Sequence, residues 1–319
     1  MAARGTPMSI PTHELRPLLE EYLSIRRAVG FELHKAGRLL AQFVDHLQDS
    51  GEVFSVEAAL GWATLPAGGS THWLAMRLSA VRVFSVWLHA TDPTVPVVPA
   101  GLIPRVGSDR ARPYLYSQED IGGLIDAAGE LKPALRAATY QTLIGLLATT
   151  GMRISEAIGA DDDDLDVDHH QLVVRNTKFG KSRLLPLHAT TMQALTGYRQ
   201  LRTSELPEPT SRALLVSIRG TRLLHSNISL TFTRLVEQVG LTPTSGPGSV
   251  RIHDLRHSFA VTSLLDAYRD HADVPVLLAR LATYLGHTDP KHTYWYLSAA
   301  PELMALAADR LDTHLGEQL

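Results

Sequence analysis

The chain has 319 residues, 45% of them hydrophobic and 20% charged, which is apolar material for two globular domains rather than one ordinary core. It holds no cysteine, which excludes disulfides, thiolate catalysis and sulfur-ligated zinc, and no apolar run approaches the roughly 18 residues of a membrane span. A formal net charge of −3 argues against an evenly basic surface, yet "DDDDLDVD" at 161–168 alone carries six carboxylates, and without it the balance is +3.

The N-terminus, "MAARGTPMSIPTHELRPLLEEY", lacks the uninterrupted apolar core of a signal peptide, so a soluble cytoplasmic protein is expected. The first hundred residues read as all-helical. Leu15, Leu18, Leu19, Tyr22 and Leu23 recur at helical spacing, with Gly30 as a stop. Leu39, Leu40, Phe43, Val44 and Leu47 repeat the pattern up to Gly51. "SVEAALGWAT" and "THWLAMRLSAVRVFSVWLHA" complete a small bundle, the latter placing Arg77 and Arg82 on its polar side. The proline-rich stretch "DPTVPVVPAGLIPRVGSDRARP" forbids continuous helix and reads as a linker. Its Arg105, Arg110 and Arg112 suit a phosphate backbone, the alternative being a solvated connector. The expected division is a helical domain over 1–95, a linker over 96–112 and a second domain over 113–319.

The second domain mixes helix with a little strand. "LVVRNTKFGKSRLLPL" predicts a β-hairpin turning around "FG", and helices are expected near 189–203, 227–239, 254–268, 274–285 and 290–297. The aspartate run reads as a solvated loop. Consecutive aspartates point in divergent directions and make a poor metal site.

Several residues here can carry chemistry. Arg153, in "TTGMRISEAIG", begins a helical pattern three residues before Glu156, which alone reads as a surface ion pair. Lys178 lies just before the hairpin turn and Lys181 just after it. "HDLRH" at 253–257 admits two readings. His253 and His257 have the i,i+4 spacing of zinc ligands, but Asp254 stands where a general-base glutamate belongs and no third ligand follows at a familiar spacing. His253 and Arg256, at i,i+3, share one helix face and can both donate to one phosphate. In "LATYLGHTDPKHTYWYLSA", Gly286 ends one helix and Asp289–Pro290 begins the next, leaving His287 at the junction and Tyr296 on the following helix.

Taken in order, Arg153, Lys178, His253, Arg256, His287 and Tyr296 resemble the active-site set of the tyrosine recombinase (phage integrase) family. "GMRISEAIG" is similar to its first arginine box, "IHDLRHSFA" to its second and "LGHTDPKHTYWY" to its third. The resemblance covers the whole chain. It implies a mainly α fold with a small sheet, built from a helical core-binding domain and a mixed α/β catalytic domain. Tyr294 competes with Tyr296 in sequence, but the family spacing of nine residues from His287 selects Tyr296, and the two differ by about 200° around a helix.

By resemblance, Tyr296 is the nucleophile that forms a 3′-phosphotyrosyl bond, Arg153 and Arg256 stabilise the phosphorane, and His253 helps deprotonate Tyr296 or orders the phosphate. His287 donates to a phosphate oxygen, Lys178 protonates the departing 5′-hydroxyl, and Glu156 orients Arg153. No metal or other cofactor is implied. The implied partners are a double-stranded DNA recombination site, with Arg77, Arg82, Arg105, Arg110, Arg112 and Lys181 as candidate DNA contacts, and further copies of the chain, a homotetramer on DNA that is a monomer or weak oligomer without it. The C-terminal stripe Leu303, Leu306, Ala307 and Leu311 is implied to dock on a neighbouring protomer, the alternative being its own domain. Rival readings are a type IB topoisomerase, a catalytically silent DNA-binding regulator, and a metallohydrolase built on the histidine pairs.

Overall fold

The computed structural model describes residues 11–104, 113–175, 182–208, 210–243, 249–270, 272–286, 293, 296 and 302–306. Two compact units divide the chain, Met1–Arg110 and Ala111–Leu319. None of the described helices is long and apolar enough to cross a membrane.

The first unit holds α1 (Thr12–Ala28), α2 (His34–Ser50), α3 (Val56–Thr64) and α4 (Thr71–Thr91). Ser55 caps α3 by accepting from the Ala58 N–H at 3.0 Å, and Ser70 caps α4 through Trp73 at 3.3 Å. The stripes read from sequence face inward: Leu15, Leu19 and Tyr22 of α1 and Leu39, Leu40, Phe43, Val44 and Leu47 of α2 are buried. Phe84 of α4 packs on Tyr22 with ring centroids 5.3 Å apart, and Trp62 of α3 on Phe43 at 5.2 Å.

Two expectations for this unit are corrected. Arg77 is not on a polar face. It is buried, with its guanidinium 3.8 Å from the centre of the Trp62 ring and its Nη2 donating to the Trp62 carbonyl at 2.8 Å. A long aliphatic stem tolerates burial when an aromatic face and a carbonyl receive the charged head. Arg82 is half-buried. The start of the expected linker is also not free, because Val98 is buried in this core with its N–H donating to Ser85 Oγ at 3.0 Å, and Ile103 packs alongside. Arg105, Arg110 and Arg112 lie outside the described residues.

The second unit is built around α6 (Ala134–Thr150), whose Leu143, Ile144, Leu146 and Leu147 are buried and which packs against α5 (Gln118–Gly129), α8 (Ala189–Glu205) and α10 (Asp254–Arg269). Neither α5 nor α6 is foreseen by the periodicity. Short α7 (Ile154–Gly159) precedes a three-stranded antiparallel sheet of β1 (Leu165–Asp166), β2 (Gln171–Val174) and β3 (Arg183–Pro186). The hairpin is present: β2 pairs with β3 from Gln171 opposite Pro186 to Val174 opposite Arg183, and the "FG" turn lies outside the described residues. Then come α9 (His225–Val239) and α11 (Val274–Leu285). Of the last expected helix, Thr293 and Tyr296 are described and helical. Leu303 is buried in the same cluster as Tyr296 and α11, within its own unit.

The aspartate run is not a solvated loop. Asp162–Asp164 form one 3₁₀ turn, and their divergent directions, useless for a metal, deliver each carboxylate to a different arginine. Asp161 pairs with Arg222, Asp162 with Arg199 at 2.6 Å and Arg202 at 2.8 Å, Asp163 with Arg212 at 2.9 Å, and buried Asp164 with Arg175.

Gly151 closes α6 in the left-handed region at φ 59°, and a methyl group there would meet Phe259 Cδ1 at 2.4 Å. Gly151→Ala should therefore cost about 1–3 kcal/mol, the scale of overpacking, read as a lower urea midpoint. Gly122→Ala, within α5 where an added methyl meets nothing, should instead raise stability by up to about 1 kcal/mol.

Candidate active site

The site assembles around the C-terminal end of α11. The last carbonyls of a helix have no intrahelical partner and carry the negative end of its dipole. Here three consecutive carbonyls each take a different arginine. Arg183 Nε donates to the Tyr284 carbonyl at 2.9 Å, Arg256 Nη2 to Leu285 at 2.7 Å, and Arg153 Nη2 to Gly286 at 3.0 Å. Gly286 turns the chain at φ 68°, and a methyl group there would stand 3.1 Å from Arg183 Nη1 and 3.6 Å from Arg153 Nη1.

Arg256 projects from the first turn of α10 and is buried. Its Nη1 donates to the carbonyl of Gly151, at the end of α6, at 2.7 Å, so this guanidinium spans two helix C-termini. Burial, then the neighbouring Arg153 charge, bring its pKa down to about 10, so it stays charged at neutral pH. Asp254, fully buried, fixes the start of α10 by accepting from the Arg251 backbone N–H and from its Nη2, both at 3.1 Å.

Glu156 is the carboxylate that serves this cluster. Its Oε2 accepts from the Arg153 backbone N–H and from Arg183 Nη2, both at 2.8 Å. Its Oε1 accepts from Arg153 Nη1 at 2.8 Å and Arg183 Nη1 at 3.1 Å. Burial alone would raise the Glu156 pKa, but these hydrogen bonds and the Arg183 charge hold it below its ordinary value. Glu156 thus stands in direct contact with Arg153 and Arg183. Arg183 was missed by the motif reading. The signal for it was the alternation of β3, which sends Leu184 outward and puts Arg183 on the same face as buried Leu185.

His253 sits at the N-cap of α10, open to solvent on one side. Desolvation by its surroundings, followed by the charge of Arg256, lowers its pKa, and Arg153 adds to this, so it is neutral at pH 7 and able to accept a proton. The His253 and His257 rings meet edge to face with centroids 5.1 Å apart, and His257 in turn meets the ring of Tyr296 at 5.5 Å. Tyr296 is 2% exposed and couples electrostatically with Arg256. No cluster of three or more potential metal ligands occurs among the described residues. The structure thus brings Arg153, Glu156, His253, Arg256 and Tyr296 together. Lys178, Lys181, His287 and Tyr294 lie outside the described residues.

Comparison with known proteins adds the following. The sequence profile of the phage integrase family matches residues 116–302. A putative integrase/recombinase, y4rB, of Sinorhizobium fredii is 40% identical over 93% of this chain and 96% of its own length. Tyrosine recombinase XerC of Mycobacterium bovis is 30% identical over 88% and 92%. Among solved structures, XerH site-specific recombinase bound to palindromic difH substrate superposes with a TM-score of 0.62 over 94% of this chain and 85% of that one, at 17% identity, a likeness of fold. The Tn1549 transposon integrase in complex with transposon right end DNA gives a TM-score of 0.63 at 17% identity, over 94% and 98%. The profile match and these sequence relatives identify a tyrosine-type site-specific recombinase. The chain belongs to the phage integrase family, and the topoisomerase alternative is not favoured.

Because the Glu156 pKa is depressed, the stability its ion pairs supply is complete above the ordinary value of 4.5 and is lost as pH falls through the lower folded value. Glu156→Gln should cost about 1–3 kcal/mol at pH 7, the scale of hydrogen bonds to a charged group. It should also remove that acid-side component from the pH dependence of unfolding. A variant with wild-type stability at pH 7 would show that the carboxylate does not hold the cluster.

Proposed function

We propose that Tyr296 cleaves DNA at a specific site by attacking a backbone phosphate. The Tyr296 Oη–P bond forms as the P–O5′ bond breaks, leaving a 3′-phosphotyrosyl bond and a 5′-hydroxyl. The observation that supports this most is the arrangement of guanidiniums on the α11 carbonyls beside Tyr296. Attack on a phosphodiester gathers charge on the non-bridging oxygens, and guanidiniums already held in place stabilise it without reorganisation. Arg153 and Arg256 fill that role, and their planar forks suit phosphate oxygens. Arg183 and Glu156 orient Arg153.

The phenol proton passes to neutral His253, directly or through the phosphate. By family resemblance, His287 donates to a phosphate oxygen and Lys178 protonates the departing O5′. The phosphotyrosyl bond conserves the energy of the linkage it replaces, so a 5′-hydroxyl from a partner strand re-forms DNA by the reverse displacement, and no cofactor is consumed. Two paired sites exchanging strands through a Holliday junction need four such tyrosines, hence a homotetramer on DNA in the cytoplasm. The helical domain before about residue 95 serves as the core-binding domain and the region from about 113 as the catalytic one. Relatives named for an integrase and a transposon favour movement of a mobile element.

Tyr296→Phe keeps the ring that packs on His257 and removes the nucleophilic oxygen. It should retain DNA binding in a mobility-shift assay and form no covalent adduct on a nicked suicide site. Tyr294→Phe should still form the adduct, and the opposite pattern would transfer the nucleophile to Tyr294. Arg256→Lys cannot reach two carbonyls and a phosphate together. It should slow cleavage by roughly 10²-fold or more and leave DNA affinity much less changed, since many contacts share the backbone. Equal losses of both would reduce Arg256 to an anchor.

A further inference from the structure

The β2–β3 hairpin leaves the sheet at a defined place, since Val174 opposite Arg183 is its last described pair. The span 176–181, which carries Lys178 and Lys181, connects Arg175 on one leg to Ser182 and Arg183 on the other. The Arg183 leg is fixed by Glu156 and the α11 carbonyl. The other leg has an anchor that no motif announced. Arg175 Nε donates to Asp164 Oδ1, and this carboxylate, 4% exposed, is itself immobilised because its Oδ2 accepts from the Asp161 N–H at 2.9 Å. Asp161 is bridged to Ala213, and the Asp162 N–H donates to the Arg212 carbonyl at 2.8 Å, so the anchor stands on a turn tied to the body of the unit. Of the four consecutive aspartates, Asp161, Asp162 and Asp163 pair with arginines of α8 and of 212–222, and Asp164 faces the hairpin.

We infer that Asp164 and Arg175 are positioning residues for the leaving-group step, clamping one leg of the hairpin as Glu156 and Arg183 clamp the other. A general acid must come within about 2.6–3.2 Å of the oxygen it protonates. Fixing Arg175 and Arg183, the described residues that flank Lys178, removes backbone freedom that would otherwise be lost at the moment of reaction. The inference rests on Lys178 as the general acid.

The test is single-turnover cleavage of a normal suicide site and of one with sulfur in place of the bridging O5′, a leaving group that needs no proton. Arg175→Gln removes an exposed head and should fold. It should slow cleavage of normal DNA by roughly 10- to 100-fold, the scale of a misplaced catalytic group, and cleave the sulfur substrate near the wild-type rate. Asp164→Asn, which can still accept from the Asp161 N–H, should behave alike, and if it fails to fold, Arg175→Gln decides. Arg212→Gln breaks a comparable exposed pair with Asp163, away from the hairpin, and should leave both rates unchanged. Slow cleavage of both substrates by Arg175→Gln, or no effect on either, overturns the inference. Lys178→Ala, run in parallel, separates the two levels. If it is rescued by sulfur while Arg175→Gln is not, the clamp fails and the general-acid assignment stands; if Lys178→Ala is not rescued, the assignment fails and takes the clamp with it.

Discussion

The constraint on which the second unit depends is the gathering of Arg153, Arg183 and Arg256, three like charges, about one carboxylate. Left to themselves they would separate, since like charges a few ångströms apart repel by kilocalories in a partly desolvated site. Glu156 offsets part of this by accepting hydrogen bonds from Arg153 and Arg183. The rest comes from backbone. The end of α11 offers three carbonyls in a row and the end of α6 offers Gly151, so that partial negative charge from two helices stands where the guanidiniums converge. Arg256 donates to two of these carbonyls, and burial first, then the Arg153 charge, lower its pKa to about 10.

That solution dictates much of the surrounding architecture. Both helices must end inside the unit, and both do so on a left-handed glycine, Gly151 and Gly286, where a side chain would strike Phe259 or the arginines. Phe259 follows Arg256 by three residues on α10, so the face of α10 that delivers the guanidinium also covers Gly151. Packing and chemistry therefore share the same contacts, and a residue such as Gly151 belongs to both. The small sheet serves a related purpose by setting Arg183 against Glu156 and starting the hairpin from a fixed edge.

Sequence reading worked where one physical signal dominated. Amphipathic stripes revealed α1 and α2, alternating β-prone runs revealed the hairpin, and motif resemblance singled out Arg153, His253, Arg256 and Tyr296, which the fold places near one another. It failed where signals cancelled or depended on distant partners. Helix α6 is apolar around its circumference, so it has no stripe, and α5 carries Gly122 and Gly123, which dilute its helical pattern despite a Ser117–Asp120 capping box. Arg77 follows the polarity rule only if no aromatic face awaits it, and Trp62, fifteen residues earlier, cannot be seen from local spacing. The role of Asp161–Asp164 was illegible for the same reason, because its partners lie as far away as Arg222.

The formal charge of −3 does not decide where a cationic site can stand, because the four carboxylates of Asp161–Asp164 are paired within the fold. Arg175, Arg199, Arg202, Arg212 and Arg222 are all engaged by those four carboxylates. Acid and base there neutralise one another as structure, contributing nothing to the local excess. At the end of α11 the balance runs the other way, with three guanidiniums to one carboxylate among the described residues. Helix carbonyls can hold such an excess in place, but a dipole end of about half an elementary charge cannot cancel it. What remains is a fixed positive field at the site beside Tyr296, and the ligand that completes it must bring negative charge of its own, as a phosphodiester does most when it passes through its transition state.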